Sequence, residues 1–294
     1  MMIIVIIIVI IIVIIMLPMK LLDWIDPNKL NRYCLYKNPN AIDYIMKFKN
    51  DINWALLSSN PNAIDIIKEN IDEICWYGIS VNPNAIDIIE KNLHKINWHL
   101  FSSNPNGVHI LKANKNKIYW ASLCTNTNPE AIKLLEKNKN KIDWSMLSLN
   151  PSAIKLLEMN VDKICWKHLN KNPNAIKLLK ANPDKIDLSY LAINPNAFEI
   201  LDEIITKLDN SYELLSSNTN INIINHLKEN EDKIDWVNFS CNPSIFTYDY
   251  EKMRNMNVEL KNELFAKVLH PKRIMRLIEE FGEEMIYDIY FTEE

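Results

Sequence analysis

Residues that could carry chemistry are scattered along this sequence without a catalytic spacing. The six histidines form no His-Glu-x-x-His pattern, and the odd number of five cysteines, none in a Cys-x-x-Cys pair, favours free thiols in a reducing compartment. A Gly-x-Ser-x-Gly elbow is absent, and three glycines are too few for a phosphate-binding loop. Neighbouring carboxylates such as Glu279 and Glu280 are typical of a solvated helix end. We therefore predict a protein that is not an enzyme, with no cofactor, no metal and no small-molecule substrate.

Tryptophan recurs regularly, and its ring could serve either of two purposes. Such rings stack on nucleic-acid bases or pack into a hydrophobic core. The net charge of −4 and the pI of about 5.9 indicate no broad basic surface for nucleic acid. We therefore expect a buried ladder of indoles, and we do not expect nucleic acid as the partner. The ladder comprises Trp54, Trp76, Trp98, Trp120, Trp144, Trp166 and Trp236.

An Asn-Pro dipeptide sets the period that positions these tryptophans. Nine occurrences follow one another at steps of 22 or 24 residues, with one final step of 48 residues. A period of this length is typical of a solenoid, in which each unit buries its apolar face only by stacking on its neighbours. A Thr-Asn insertion explains the longer steps, so Asn128 and Asn220 are expected to take the asparagine position of their units. The dipeptides begin at Asn38, Asn60, Asn82, Asn104, Asn128, Asn150, Asn172, Asn194 and Asn242.

Each unit predicts one longer and one shorter helix. In the unit from Asn60, the asparagine is a favourable N-cap and Pro61 suits the first helical position. The apolar residues that follow share one face, and Asn70 is expected to end the helix in the left-handed conformation that asparagine tolerates. The tryptophan then opens a shorter helix, for which Asn53 and Asp143 are N-caps in their units.

The sequence therefore predicts an all-α fold. We expect a superhelical solenoid of about nine repeats of 22–24 residues, each a helix plus a short α or 3-10 helix. At the usual spacing between packed helices, the array over residues 30–243 would form a curved rod about 80 Å long. Residues 18–29 lead into this array.

A helical C-terminal cap is predicted over residues 244–294, where the repeat is lost. Within it we expect helices over 262–269 and 271–281, the second of which ends at Gly282. Irregular units are expected at both ends of the array, because one face of each end unit would meet water.

Residues 1–17 are an unbroken run of Ile, Val, Met and Leu. At about 1.5 Å per residue this run would span roughly 25 Å as a helix, near the lower limit for crossing a bilayer. Three interpretations stay open: a membrane anchor, a signal peptide without the usual flanks, or a low-complexity leader before a true start at Met19. Lys20 is the only adjacent basic residue, so the orientation of an inserted segment is weakly specified.

The phrase Asn-Pro-Asn-Ala-Ile…Asn…Lys-Ile-Asp-Trp…Leu-Ser resembles the repeat of mimivirus-like proteins from giant DNA viruses of amoebae. The resemblance covers about residues 30–243, and 269–274 with Gly282 is similar to the module that closes such proteins. It implies a viral protein for which the family supplies no catalytic residues. The phrase is also distantly similar to the leucine-rich repeat variant, an all-helical solenoid, which implies the fold alone.

Outward positions of the longer helices and variable residues beside the tryptophans are the candidate binding residues. Stacked units would align the lysines of the middle units into a ridge, with acidic residues following, and such a pattern can select a partner by its charge. The residues beside the tryptophans would line the concave side. The predicted partner-binding set is Lys133, Lys137, Lys155, Lys177, Lys180, His99, Met146 and His168.

These features predict a non-enzymatic repeat scaffold that mediates protein–protein interaction as a monomer, with an unidentified protein partner. Two alternatives stay open: a membrane-anchored repeat protein that inserts through residues 1–17, and a weak nucleic-acid binder that uses the lysines. The resemblance implies the cytoplasm of an infected host cell, or a membrane location if residues 1–17 insert.

Overall fold

The computed structural model of the chain describes residues 18–48, 52–202, 212–255, 258 and 270–282. The chain divides into two compact units, Lys20–Thr247 and a second unit of Met1–Met19 with Tyr248–Glu294. The first unit holds the repeats, in which α-helices alternate with 3-10 helices. The predicted all-α class and the composition of each repeat are confirmed.

Two predicted features lie outside the described residues: the apolar segment 1–17 and the helix over 262–269. Across the described parts of the chain, none of the helices combines the length and the apolarity that crossing a bilayer requires.

Two kinds of α-helix alternate along the repeats. The Asn-Pro helices follow the Asn-Pro dipeptide or, for the last of them, Asn220-Ile221. The Trp helices begin at the tryptophan or its equivalent. The Trp helices are α1 (Arg32–Lys37), α3 (Trp54–Leu57), α5 (Trp76–Val81), α7 (Trp98–Phe101), α9 (Trp120–Cys124), α11 (Trp144–Ser148), α13 (Trp166–Leu169), α15 (Leu188–Leu191), α17 (Tyr212–Leu215) and α19 (Trp236–Cys241). The Asn-Pro helices are α2 (Ile42–Ile45), α4 (Ile64–Glu69), α6 (Ile86–Glu90), α8 (Val108–Ala113), α10 (Pro129–Glu136), α12 (Ile154–Glu158), α14 (Ile176–Lys180), α16 (Phe198–Leu201) and α18 (Ile221–Glu229).

The start of an Asn-Pro helix follows from its first residues. The Asn60 side chain accepts the N–H of Asn62, and Pro61 begins a 3-10 turn over Pro61–Ala63 that continues into α4. The helix ends differently from the prediction. Asn70 has φ −129°, and its Nδ2 donates to the Ile66 carbonyl at 2.8 Å. The predicted left-handed ending is wrong, since no described residue other than glycine has positive φ.

The tryptophans are half-buried, so the prediction of a buried indole ladder is wrong. The residue three positions after each one fills the core instead, as Leu57 and Leu147 do at 0% exposed. A lysine of the next unit covers the ring in several units. Lys163 Nζ, for instance, lies 4.9 Å from the centroid of the Trp144 ring. At the joints of Trp76, Trp144 and Trp236 the indole thus contributes a cation–π contact at the surface.

The first repeat packs against the last, so the array within Lys20–Thr247 closes into a ring. Helix α1 lies beside α19. The backbone N–H of Asn31 donates to Ser240 Oγ at 2.8 Å, and Asn38 Nδ2 donates to the Asn242 carbonyl at 2.8 Å. The predicted open rod is therefore wrong, because each end repeat covers the stacking face of the other.

Short strands β1 (Met19–Leu21) and β2 (Phe246–Tyr248) pair into a two-stranded sheet. In the second unit, residues 250–255 are helical and α20 spans Pro271–Phe281. Gly282 has φ 88° and donates its N–H to the Ile278 carbonyl at 2.9 Å, which confirms the predicted end of this helix.

Candidate interaction surface

One buried asparagine in each repeat joins that repeat to the one before it. Its side-chain oxygen accepts a backbone N–H two residues further on, as predicted for a cap. Its Nδ2 donates to two carbonyls of the preceding repeat over 2.7–3.1 Å. These ladder asparagines are Asn38, Asn60, Asn82, Asn104, Asn126, Asn150, Asn172, Asn194, Asn218 and Asn242.

In the two repeats that carry an insertion, the prediction assigns the ladder position to the wrong asparagine. Asn126 and Asn218 are the ladder residues of these repeats, where Asn128 and Asn220 were expected. Asn128 takes the role of the second asparagine of the motif and donates to the Pro105 carbonyl at 2.7 Å. It still caps α10 by accepting the N–H of Glu130, as expected of the asparagine before the proline. The two extra residues lengthen the following Asn-Pro helix and leave the ladder intact.

Two further polar positions also join the repeats. The second asparagine of the motif, such as Asn62, donates to the proline carbonyl of the preceding repeat, here Pro39 at 2.9 Å. The serine near the end of a Trp helix, such as Ser58, accepts an N–H of the following repeat, here Cys75 at 2.9 Å. No buried side-chain nitrogen or oxygen among the described residues lacks a partner. The repeated polar residues therefore hold the frame, and recognition is left to the exposed, variable positions.

Charge is divided between two arcs of the ring. Four successive repeats, residues 104–193, hold fourteen lysines and seven carboxylates, a net charge of +7. We call these residues the basic arc. The remaining ring residues, 20–103 and 194–247, hold twelve basic and nineteen acidic side chains, a net charge of −7. The zero net charge of the whole ring hides this division.

The predicted ridge lysines lie exposed on or directly after α10, α12 and α14. The ammonium groups of Lys112 and Lys133 each lie 2.6 Å from the Glu130 carboxylate. These two charged hydrogen bonds lower the pKa of Glu130 to about 2, so the carboxylate stays ionised in acid that would protonate an ordinary glutamate. Lys180 pairs with Glu199 of the next repeat at 2.8 Å. Part of the ridge is therefore neutralised by contacts between repeats.

Seven exposed lysines of the basic arc form neither an ion pair nor a cation–π contact within the part of the chain that the structure describes. Three belong to the predicted ridge, and four lie in the 3-10 turns that lead to the Trp helices. Exposed ammonium groups without internal partners keep their charge for an incoming anion. These seven are Lys115, Lys117, Lys137, Lys139, Lys141, Lys155 and Lys177. The predicted partner-binding set did not include the four turn lysines, although the sequence shows Lys-Asn-Lys in both turns.

The other three predicted residues, His99, Met146 and His168, lie on Trp helices and away from the ridge lysines. His99 is exposed and its ring centroid lies 5.2 Å from that of Tyr119. His168 Nδ1 lies 2.9 Å from Ser145 Oγ in the preceding repeat, and Met146 is half-buried. No hydrogen bond or ion pair joins this set to the ridge lysines in the described ranges. The two predicted sets are thus separate surfaces.

Within the described part of the chain, neither grouped metal ligands nor the cavity beside α1 and α3 competes with the basic arc as a candidate. Within the residues that can be described, no three His, Cys, Asp or Glu side chains are grouped to hold a metal ion. A cavity of about 380 Å³ lies beside α1 and α3. It is an open, mostly polar depression, lined by Arg32, Tyr33, Tyr36, Ile52, Asn53 and Trp54.

No family model, curated protein or solved structure matches the chain. The resemblance to the viral repeat therefore stays a prediction. The basic arc is supported by the geometry and charge of this chain alone.

Proposed function

We propose that the protein is a non-enzymatic scaffold whose basic arc binds an acidic segment of a partner protein. One observation carries this proposal: seven exposed lysines with neither an ion pair nor a cation–π contact lie in four successive repeats of net charge +7. An acidic segment that crosses these repeats would meet several ammonium groups at once. Complementary charge of this kind steers encounter and selects partners.

An acidic protein segment suits this surface better than a nucleic acid. A long polyanion that extended beyond the basic arc would meet the arc of net charge −7 on either side. Unspecific binding to single strands also uses exposed aromatic rings as stacking platforms. Here the Trp76 and Trp144 rings are half-buried and carry Lys95 and Lys163 over one face.

Two charge-matched variants of the full chain test the surface. The first combines Lys117→Glu, Lys139→Glu and Lys155→Glu in the basic arc. The control combines Lys68→Glu, Lys91→Glu and Lys228→Glu, which are exposed lysines outside it. The probe is a fluorescein-labelled peptide rich in glutamate, and its anisotropy reports binding. Three lost pairs of roughly 0.5 kcal/mol each predict at least about tenfold weaker binding for the first variant and little change for the control.

A labelled single-stranded oligonucleotide of the same length is measured in parallel. Tighter binding of the oligonucleotide than of the acidic peptide would reject a protein partner. Absent peptide binding, or an equal loss in both variants, would reject the basic arc as the surface. Circular dichroism of each variant checks that the helices are retained.

A further inference from the structure

Two cysteines lie at the seam where the ring closes. Cys34 belongs to α1 in the first repeat, and Cys241 belongs to α19 in the last. The two helices pack together, and the Cys34 side chain lies close enough to the Cys241 thiol to affect its pKa. Both side chains are half-buried. Residues 207 positions apart in the sequence are thereby brought into contact.

The contact follows from the repeat itself, because the same two positions meet at other joints. Cys34 lies four residues before its ladder asparagine, and Cys241 lies one residue before the ladder asparagine of the neighbouring repeat. At the joint between α3 and α5 these positions hold Ser59 and Gly78, and a Cβ added to Gly78 would lie 2.9 Å from Ser59 N. At a later joint Lys171 Nζ lies 4.9 Å from the Tyr190 ring centroid. Of the ten joints, only the seam has cysteine at both positions.

We propose that Cys34 and Cys241 are a thiol modification site that forms a disulfide and locks the ring covalently. The oxidant belongs to the class of low-molecular-weight disulfides, such as oxidised glutathione. One cysteine thiolate attacks the oxidant and releases one small thiol, which leaves a mixed disulfide on the protein. The second cysteine attacks that mixed disulfide and releases the second small thiol. Two protein thiols are oxidised to one disulfide, and their two protons pass to the two thiols formed from the oxidant.

The surroundings of Cys241 slow its reaction with such an oxidant. Burial, aided by the nearby Cys34 side chain, raises the pKa of Cys241 to about 12, although the nearby Lys37 charge acts in the opposite direction. Only the thiolate is nucleophilic, so this thiol reacts slowly in neutral solution. The disulfide would therefore form slowly in weak oxidants and faster as the pH rises.

The test uses the reduced full-length chain, oxidised glutathione, and alkylation of the remaining thiols before digestion. Mass spectrometry is expected to find one linked peptide pair that contains Cys34 and Cys241. The disulfide closes a very long loop, so the melting temperature of the oxidised chain should rise by roughly 5 °C or more.

Variants separate the seam from the other thiols. Cys34→Ser and Cys241→Ser should lose the melting shift, whereas Cys75→Ser and Cys165→Ser, also half-buried, should keep both the linkage and the shift. Peptide mapping of the unmutated chain gives the answer even if a seam variant does not fold. A different cysteine pairing, a mixed disulfide that persists on one cysteine, or thiols that stay unlinked would overturn the proposal.

Discussion

Each ladder asparagine performs two tasks with one amide group. Its oxygen caps the first turn of its own repeat, and its nitrogen donates to two carbonyls of the preceding repeat, as Asn60 does to Tyr36 and Asn38. Aspartate has no hydrogens to donate and serine is shorter, so neither can do both. The cap was predictable from the Asn-Pro dipeptide. The bonds to the neighbour were not, because they depend on how closely two repeats approach.

A glycine–phenylalanine pair in the fourth repeat tests packing at the same scale. Gly107 occupies the position held by Ala63 in another repeat, and Phe101 occupies the position of Leu57. A Cβ on Gly107 would overlap the Phe101 ring. Gly107→Ala alone should therefore lower the free energy of unfolding by about 1–3 kcal/mol.

The double variant Gly107→Ala/Phe101→Leu recreates the pair found at Ala63 and Leu57. It should lie within about 1 kcal/mol of the unmutated protein, since the two changes compensate. Urea unfolding of both single variants and the double variant completes the cycle. Additive effects of the two substitutions would contradict this view of the site.

At the scale of elements, the two-helix repeat was predictable because its signals are local. Asn60 with Pro61 marks the start of one helix, and Asp143 before Trp144 marks the start of the other. The depth of the indole was not predictable from spacing. Trp144 and Leu147 are three residues apart and were expected to share the core, but the leucine alone is fully buried. Which residue lies deeper is decided by the packing of adjacent repeats.

The relative depth of these two side chains leads to a test of the Trp helix. Leu147→Ala should lower the free energy of unfolding by about 4 kcal/mol, because it opens a cavity in a fully buried site. Trp144→Ala should lower it by only about 2 kcal/mol, since part of the ring already faces water. Denaturant unfolding of both variants measures the difference.

Lys163→Met serves as the control for the cation over the Trp144 ring, and it should change the free energy of unfolding by about 0.5 kcal/mol. A larger loss of unfolding free energy for Trp144→Ala than for Leu147→Ala would mean that the tryptophans are core residues after all.

At the scale of the whole repeat array, closure into a ring could not be predicted from the sequence. Curvature accumulates from a small rotation at each joint, and no single repeat contains a signal for the total. The joint between Asn38 and Asn242 looks the same as any other, with the same pair of amide hydrogen bonds. The irregular first repeat suggested a water-exposed end, yet its stacking face is covered.

Closure predicts that the first ladder asparagine matters as much as a middle one. Asn38→Ala and Asn104→Ala should each lower the free energy of unfolding by about 3 kcal/mol, since both leave buried carbonyls without a donor. In an open array Asn38 would have no preceding repeat and would act as a cap alone, worth about 1 kcal/mol. Urea unfolding monitored by circular dichroism compares the two. A loss near the lower value for Asn38→Ala would mean that the array is open in solution.

The closed ladder of ten asparagines also constrains how the gene can change. In a ring of ten repeats, each repeat is rotated by about 36° relative to the one before it, since the ten rotations together make 360°. Tandem arrays ordinarily lengthen or shorten when unequal recombination copies or deletes one segment. Here an array of eleven repeats would require a rotation of about 33° at every interface, and an array of nine would require 40°. A single such event would therefore strain all interfaces together or open the ring. Substitutions at exposed positions are free of this constraint, and evolution can diversify this protein there while its length stays fixed.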